Sequence, residues 1–264
     1  MIKNKQVLID AVNSDFLKNR SSINKGFASA DFEGWVEYIV RDIKSNNILD
    51  ICCGTGNQLV LYAKNKEFKS LSGVDMSTES LSLAQDRLTK VDNNIDPLLV
   101  NVEMDDIFST KEFNNRKFDL ISCFYGLYYS NDVEKLLDDL IEHLEDNGSI
   151  LLVGPYGKNN SSFFSLLSKY FKLPELVYKS SCTFMEDDVL PFLSKKLSIE
   201  TKFFINQIKY PNVDSVMNYW KSTTFYAREY EKNIRSDLEK HFLMHDNYII
   251  EKHVMAIIAT TYNK

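Results

Sequence analysis

Two carboxylates and two glycines carry the chemistry that is easiest to read in this chain. Asp50 lies within the apolar run Ile48-Leu49-Asp50-Ile51, which leads directly into Cys52-Cys53-Gly54-Thr55-Gly56. The run reads as a strand buried on both faces, and Gly54 and Gly56 supply a turn tight enough for a ligand to meet bare backbone. Leu59, Val60 and Ala63 then open a helix whose free N–H groups point at the turn and favour a polar or anionic ligand. Gly-x-Gly alone fits a dinucleotide fold, a phosphate loop or an ordinary turn. A phosphate loop would need Gly-Lys-Ser/Thr, which is missing, and a dinucleotide fingerprint wants a third small residue where Leu59 stands. At Asp50 a carboxylate repels a pyrophosphate and attracts a cation such as an amino group. Asp75 ends a second apolar run, Ser70 to Asp75, 19 residues beyond Gly56, the distance at which an acid takes both hydroxyls of a ribose. The two acids bracket a ligand with an amino acid at one end and adenosine at the other.

A second group of candidates is acceptor-like rather than cofactor-like. Asn212 or Asp214 is placed to cap a helix that brings Tyr219, Trp220, Ser222, Thr223 and Tyr226 near one another. Flat rings mixed with hydroxyls suit a polar small molecule, and a surface helix with core aromatics has the same pattern. From Gly154-Pro155-Tyr156-Gly157 to about Pro191 the chain is aromatic and irregular, which reads as a substrate cap with Tyr156 at its start or as a helical insertion with its own core. Of the histidines, His143 sits in the last turn of a helix, where the dipole favours a cation, and none of His143, His241, His245 and His253 falls at a strand end. His241 and His245 are one helical turn apart, but no third metal ligand is evident.

The elements that must position these residues follow an α/β order. Apolar residues at helical spacing predict helices over residues 7–20 and again through Phe32, Trp35, Val36, Ile39 and Val40. Ser77 begins another, with Leu81, Leu83, Ala84 and Leu88 inward. Strands are expected at Leu98 to Val102, Phe118 to Phe124, Ser149 to Val153, Ile199 to Ile208 and Tyr248 to Thr261, with a helix from Val133 to Leu144 before the turn at Asn147-Gly148. At 264 residues and 44% hydrophobic content the chain is long enough for one such domain with an insertion. A net charge of −6 lacks the basic footprint of a nucleic-acid binder, so no nucleic-acid partner is expected. No signal-peptide core or membrane-spanning run is visible, which predicts a cytoplasmic protein with no membrane partner. Cys52, Cys53, Cys123 and Cys182 match no metal spacing and read as reduced thiols.

Leu49-Asp50-Ile51-Cys52-Cys53-Gly54-Thr55-Gly56 followed by Gly73-Val74-Asp75-Met76-Ser77 resembles the class I S-adenosylmethionine-dependent methyltransferases, with Cys52 at the first glycine of that family's loop. The resemblance implies a Rossmann-like sheet of seven strands, mostly parallel with an antiparallel last strand, helices on both faces and a helical cap. It divides the chain into residues 1–44 over the cofactor site, a core at 45–155, a cap at 156–197 and C-terminal strands and substrate-side helices at 198–264. It implies S-adenosylmethionine as cofactor and S-adenosylhomocysteine as product, held by Asp50, Cys52, Cys53, Gly54, Gly56, Asp75 and Met76. Phe27 would fold over the ligand or pack in the core. Glu103 and Met104 are the adenine candidates, while Cys123, Phe124 and Tyr125 would border the methionine end. Tyr128 and Tyr129 would lie nearer the acceptor as catalytic candidates. The substrate candidates Tyr156, Tyr219, Trp220, Thr223 and Tyr226 complete the set. The spaced acids of the magnesium-using catechol branch are absent, so no metal is expected. The expected function is methylation of a polar small molecule, on a hydroxyl, carboxylate or phosphate-type oxygen of a biosynthetic intermediate such as a sugar or surface-polysaccharide precursor, by a monomer or homodimer. An N-methyltransferase and a non-catalytic cofactor-binding regulatory subunit are the alternatives.

Overall fold

The computed structural model describes residues 26–43, 45–65, 68–91 and 96–261. The helix expected over 7–20 lies outside them. Seven strands, β1 (Asn47–Ile51), β2 (Ser70–Asp75), β3 (Leu98–Asn101), β4 (Phe118–Phe124), β5 (Leu144–Pro155), β6 (Ser198–Tyr210) and β7 (Tyr248–Thr260), form one sheet in the order β3-β2-β1-β4-β5-β7-β6. Strands β1 to β5 pair in parallel. β7 runs against β5, because the chain bonds Thr261 to Gly148 and Ser149 to Thr260. The expected sheet, with its antiparallel last strand, is the one observed. β1 lies between β2 and β4, so the strand order reverses there. The crevice beyond the carboxyl ends of strands at such a reversal is where open α/β sheets bind ligands. Ile48, Leu49 and Ile51 have no exposed surface, as a strand covered on both faces requires.

The helices beside these strands are α1 (Phe32–Val40), α2 (Asn57–Asn65), α3 (Thr78–Leu88) and α4 (Val133–Glu142). Ser77 caps α3 by accepting the Ser80 N–H at 3.2 Å, and Asp132 caps α4 by accepting that of Lys135. β5 starts five residues before the expected Ser149, at Leu144. Its pairing with β4 is irregular between Phe118 and Leu120, and Asn147 adopts a left-handed φ of 63°, so the Asn-Gly turn is absorbed as a bulge rather than ending a helix.

By internal contacts the chain forms two compact units. One comprises Glu33–Gly154, Met185–Phe203 and Met255–Lys264 and holds β1 to β4. The other comprises the described residues through Phe32, Pro155–Phe184 and Phe204–Val254. Its core gathers Phe163, Phe164, Tyr210, Tyr219, Trp220 and Tyr248 from α5 (Ser161–Leu167), β6, α6 (Val213–Lys221) and β7, Phe225 from the loop after α6, and Ile234 and Leu238 from α7 (Glu231–Phe242). Asn212, not Asp214, caps α6, in a reciprocal pairing with Ser215. Segment 156–197 is divided between the units after Phe184, with a π-helical turn at Lys179–Thr183 before the division and another at Met185–Val189 after it.

Candidate functional site

In the first unit the turn after β1 is built from left-handed backbone: φ is 55° at Cys52, 52° at Gly54 and 78° at Gly56. Gly56 is required twice over, since a β-carbon there would also lie 2.9 Å from the β-carbon of Ala84 on α3. Cys52 holds its left-handed conformation as a non-glycine, and its side chain fits because the residue opposite is Gly126. A β-carbon on Gly126 would be 2.6 Å from the Cys52 sulfur and 3.3 Å from that of Cys123. A cysteine at the loop's first small position is thus accommodated by a glycine after β4. Cys123 and burial push the Cys52 thiol up, and burial does the same to Cys53, so both remain thiols; all four cysteines are free.

Asp75 ends β2 beside this turn. Its Oδ2 accepts the Gly54 N–H and its Oδ1 the Ser77 N–H, both at 2.8 Å. Two backbone amides therefore fix the plane of the carboxylate, and each oxygen keeps acceptor capacity for a ligand hydroxyl. Burial lifts its pKa and the two amides oppose the lift. Asp50 is deeper, at 1% exposure, and accepts a 2.6 Å bond from the Ser122 hydroxyl on β4. Burial raises its pKa to about 7, with Ser122 acting downward and the charge of Asp75 adding to the rise.

The remaining cofactor candidates of this unit are distributed around the turn. The Met104 sulfur is 4.0 Å from that of Cys52, whereas Glu103 and Met76 are exposed. Cys123 and Phe124 are buried at the end of β4, and Tyr125 follows in left-handed conformation and exposed. Tyr128 and Tyr129 are half-buried, their rings edge to face at 4.6 Å. Two residues that sequence reasoning passed over organise the loops. Arg87 donates to the Thr55 carbonyl at 2.8 Å and to Asn57 Oδ1 at 2.6 Å, holding the start of α2. Asp105 accepts from the Ser130 hydroxyl and from the Asn131 amide and side chain at 2.5 to 2.8 Å, which clips the loop after β3 to the loop after β4.

In the second unit Phe27 packs on Tyr210 with ring centroids 5.7 Å apart. Trp220 is fully buried and donates its indole N–H to the Phe225 carbonyl; Thr223, also buried, donates to the Trp220 carbonyl. These two side chains are engaged in the core. The Tyr226 hydroxyl donates to Glu231 at 2.5 Å, and burial first and Glu231 second push its pKa up to about 12. Tyr219 is joined to two residues that the motif reading had not singled out: the Lys252 ammonium donates at 2.5 Å to both the Tyr219 hydroxyl and Asn160 Oδ1. His253 and Glu251 pair on β7, near Tyr156, whose ring centroid is 5.7 Å from the imidazole. The signal for that pair was the spacing Glu251-Lys252-His253 on a strand, which puts the acid and the imidazole on one face. Among the described residues no group of three or more His, Cys, Asp or Glu is arranged to hold a metal ion, and no helix is long and apolar enough to cross a membrane.

A family model described as a methyltransferase domain matches residues 25–166. The chain belongs to that family. Demethylmenaquinone methyltransferase of Leptospira interrogans is 30% identical over 123 residues, 44% of this chain and 48% of the relative, so the chain spans about half the length of that relative. The protein of the same name from Lactococcus lactis is 23% identical over 246 residues, covering 90% of this chain and 88% of its own. Among solved structures, a putative methyltransferase of Bacillus halodurans has a TM-score of 0.63 at 14% identity, covering 89% of this chain and all of its own. The plantazolicin methyltransferase BpumL, solved with S-adenosylhomocysteine, has a TM-score of 0.53 at 17% identity, covering 96% of this chain and 90% of that one. These likenesses show the methyltransferase fold. The cofactor of the class is S-adenosylmethionine, and the donor set of this methyltransferase domain fits it. Asp75 offers oriented acceptors to a ribose diol, Gly54 and Gly56 offer uncovered backbone, and Asp50 offers a carboxylate for a cationic end.

Proposed function

We propose that this protein transfers a methyl group from S-adenosylmethionine to an oxygen of a small polar molecule. When bound, S-adenosylmethionine supplies the methyl group, its methyl–sulfur bond breaking with the electron pair left on sulfur. Cofactor residues of this chain are Asp75, Gly54, Gly56 and Asp50, with Met104 and Tyr125 as the candidate neighbours of its two ends. The observation that carries the polar-acceptor reading is the joined set Asn160, Tyr219 and Lys252, an ammonium held at 2.5 Å on an amide oxygen and a phenol beside a core of aromatic and aliphatic side chains. Such a set suits an acceptor rich in oxygens, a hydroxyl, carboxylate or phosphate bearer of the kind found among sugar and surface-polysaccharide precursors. Holding donor and nucleophile at near-attack distance lowers much of the barrier to methyl transfer.

The Lactococcus lactis relative, aligned over most of both chains, favours a second reading in which a demethylated quinone is the acceptor. One experiment separates the two. The protein is incubated with S-adenosylmethionine carrying a 13C-methyl group and a panel of sugar, carboxylate and phenol acceptors together with demethylmenaquinone in oxidised and reduced form. Release of S-adenosylhomocysteine is followed and the label is located by NMR. A methyl on oxygen supports the first reading; a methyl on carbon or nitrogen overturns it. Cofactor binding by calorimetry without turnover on any acceptor would point instead to a non-catalytic cofactor-binding subunit.

A further inference from the structure

We propose that Arg87 is a positioning residue for the cofactor: it holds the turn after β1 in the shape that receives S-adenosylmethionine, and so acts on cofactor affinity rather than on the rate of transfer. This rests on the reading of that turn as the S-adenosylmethionine site. Arg87 lies half-buried in the last turn of α3. Its Nη1 donates to the Thr55 carbonyl at 2.8 Å and to Asn57 Oδ1 at 2.6 Å, with the Thr55 hydroxyl oxygen at 3.3 Å. All three acceptors are neutral oxygens, so the guanidinium supplies position here rather than charge neutralisation. Hydrogen bonds from an ionised donor are also about twice as strong as neutral ones.

The Thr55 carbonyl decides the local path of the chain. The first helical bond of α2 joins the Val60 N–H to the Gly56 carbonyl at 2.9 Å, so Thr55 stands just outside the ladder, and among the described residues its carbonyl is met by Arg87. The same peptide unit is held at its other end, where the Gly56 N–H donates to the Cys53 carbonyl at 2.9 Å. Gly54 and Gly56 on either side are left-handed, and glycine passes through that region and out of it with little resistance. A Gly-Thr-Gly segment without an outside anchor has many conformations to lose, and a ligand that needs one of them binds more weakly by the fraction of time it is populated.

The anchors come from one stretch, the end of β2 and the helix after it. Asp75 takes the Gly54 N–H at 2.8 Å, Ala84 packs against Gly56, and Arg87, three residues further on the same face of α3, takes Thr55 and Asn57. Asp75 is itself a cofactor candidate and Ala84 offers only a methyl group. Arg87 is therefore the anchor that can be removed without altering a group proposed to touch the ligand.

The first measurement needs no ligand. In folded Arg87→Met we expect amide hydrogen exchange at Gly56 to quicken about 10-fold or more while the amides of β1 and β4 keep their native rates. A native rate at Gly56, or faster exchange throughout the sheet, overturns the proposal. Calorimetric titration should then give an S-adenosylmethionine affinity about 10-fold weaker in Arg87→Met and intermediate in Arg87→Lys, whose ammonium keeps a donor on a shorter stem. Arg87→Lys, the milder change, carries the same comparison should the Met variant not fold. With whichever acceptor of the 13C-methyl panel is methylated, KM for S-adenosylmethionine should rise while kcat at saturating cofactor stays within about twofold. Equal affinity in wild type and variant, or a fall in kcat with KM unchanged, overturns the proposal and leaves the function standing. Failure of the wild type to bind S-adenosylmethionine overturns the cofactor reading and this proposal with it.

Discussion

The two units fasten their polar side chains in different ways. In the unit that carries the turn after β1, Asp75 is tied to main chain, the Gly54 and Ser77 amides, and Asp105 partly so, through the Asn131 amide, while Asp50 is held by the Ser122 hydroxyl. In the other unit side chain is tied to side chain, as in Lys252 with Tyr219 and Asn160, Tyr226 with Glu231, and Glu251 with Gln207 and His253. Anchoring to backbone fixes a group wherever the turn forms, whereas a side-chain pair exists only if both partners are retained. The first unit should therefore respond most to changes in backbone, and the second to the loss of single partners.

Substitutions in the two units test that contrast. Gly56→Val puts a branched side chain into a φ of 78° and against Ala84, and should abolish S-adenosylmethionine binding in a calorimetric titration. The pair Gly56→Ala with Ala84→Gly relieves the collision but not the backbone strain, so partial recovery there divides the two causes.

A smaller effect is expected from Asp50→Asn, which removes the charge and keeps an acceptor for Ser122. Burial raises the folded pKa from 3.8 to about 7, so the folded chain holds the proton more tightly than the unfolded one. This contribution makes stability fall as pH rises through that window, by at most about 4 kcal/mol. Thermal unfolding of the wild type between pH 5 and pH 8 should show the decline, and Asp50→Asn should flatten it. Equal slopes in the two proteins would mean that Asp50 is charged at little cost.

Asp75→Ala should weaken S-adenosylmethionine binding by roughly 1–3 kcal/mol through loss of charged hydrogen bonds. Unchanged affinity would remove Asp75 from the cofactor site. In the second unit, a double-mutant cycle of Tyr219→Phe and Lys252→Met should give a coupling of about 0.5–3 kcal/mol in unfolding, where independent residues would simply add. Tyr219→Phe alone should change turnover more than cofactor affinity.

The same contrast explains what the sequence disclosed. Asp50, Gly54, Gly56 and Asp75 lie at strand ends or in the turn between them, and local periodicity and spacing suffice to place them. The sheet, too, was legible, because its strands are short apolar runs separated by helical patterns. The partners that complete the second unit are distant in sequence: Asn160 and Lys252 are 92 positions apart, Gln207 and Glu251 are 44 apart. No short window contains both members of such a pair. Trp220 and Thr223 illustrate the converse, since a helix face rich in rings and hydroxyls reads alike whether it lines a ligand or, as here, fills a core and bonds its own backbone. Cys52 was visible as a departure from glycine, but the glycine that makes room for it stands 74 residues later, at Gly126.

The Asp105 clip bears on how this scaffold can be altered. With one carboxylate holding Ser130 and Asn131, the loops after β3 and β4 form a single exchangeable part. Grafting only one of them from a related enzyme would strand either the acid or its donors, so exchanging either loop alone requires this link to be rebuilt first.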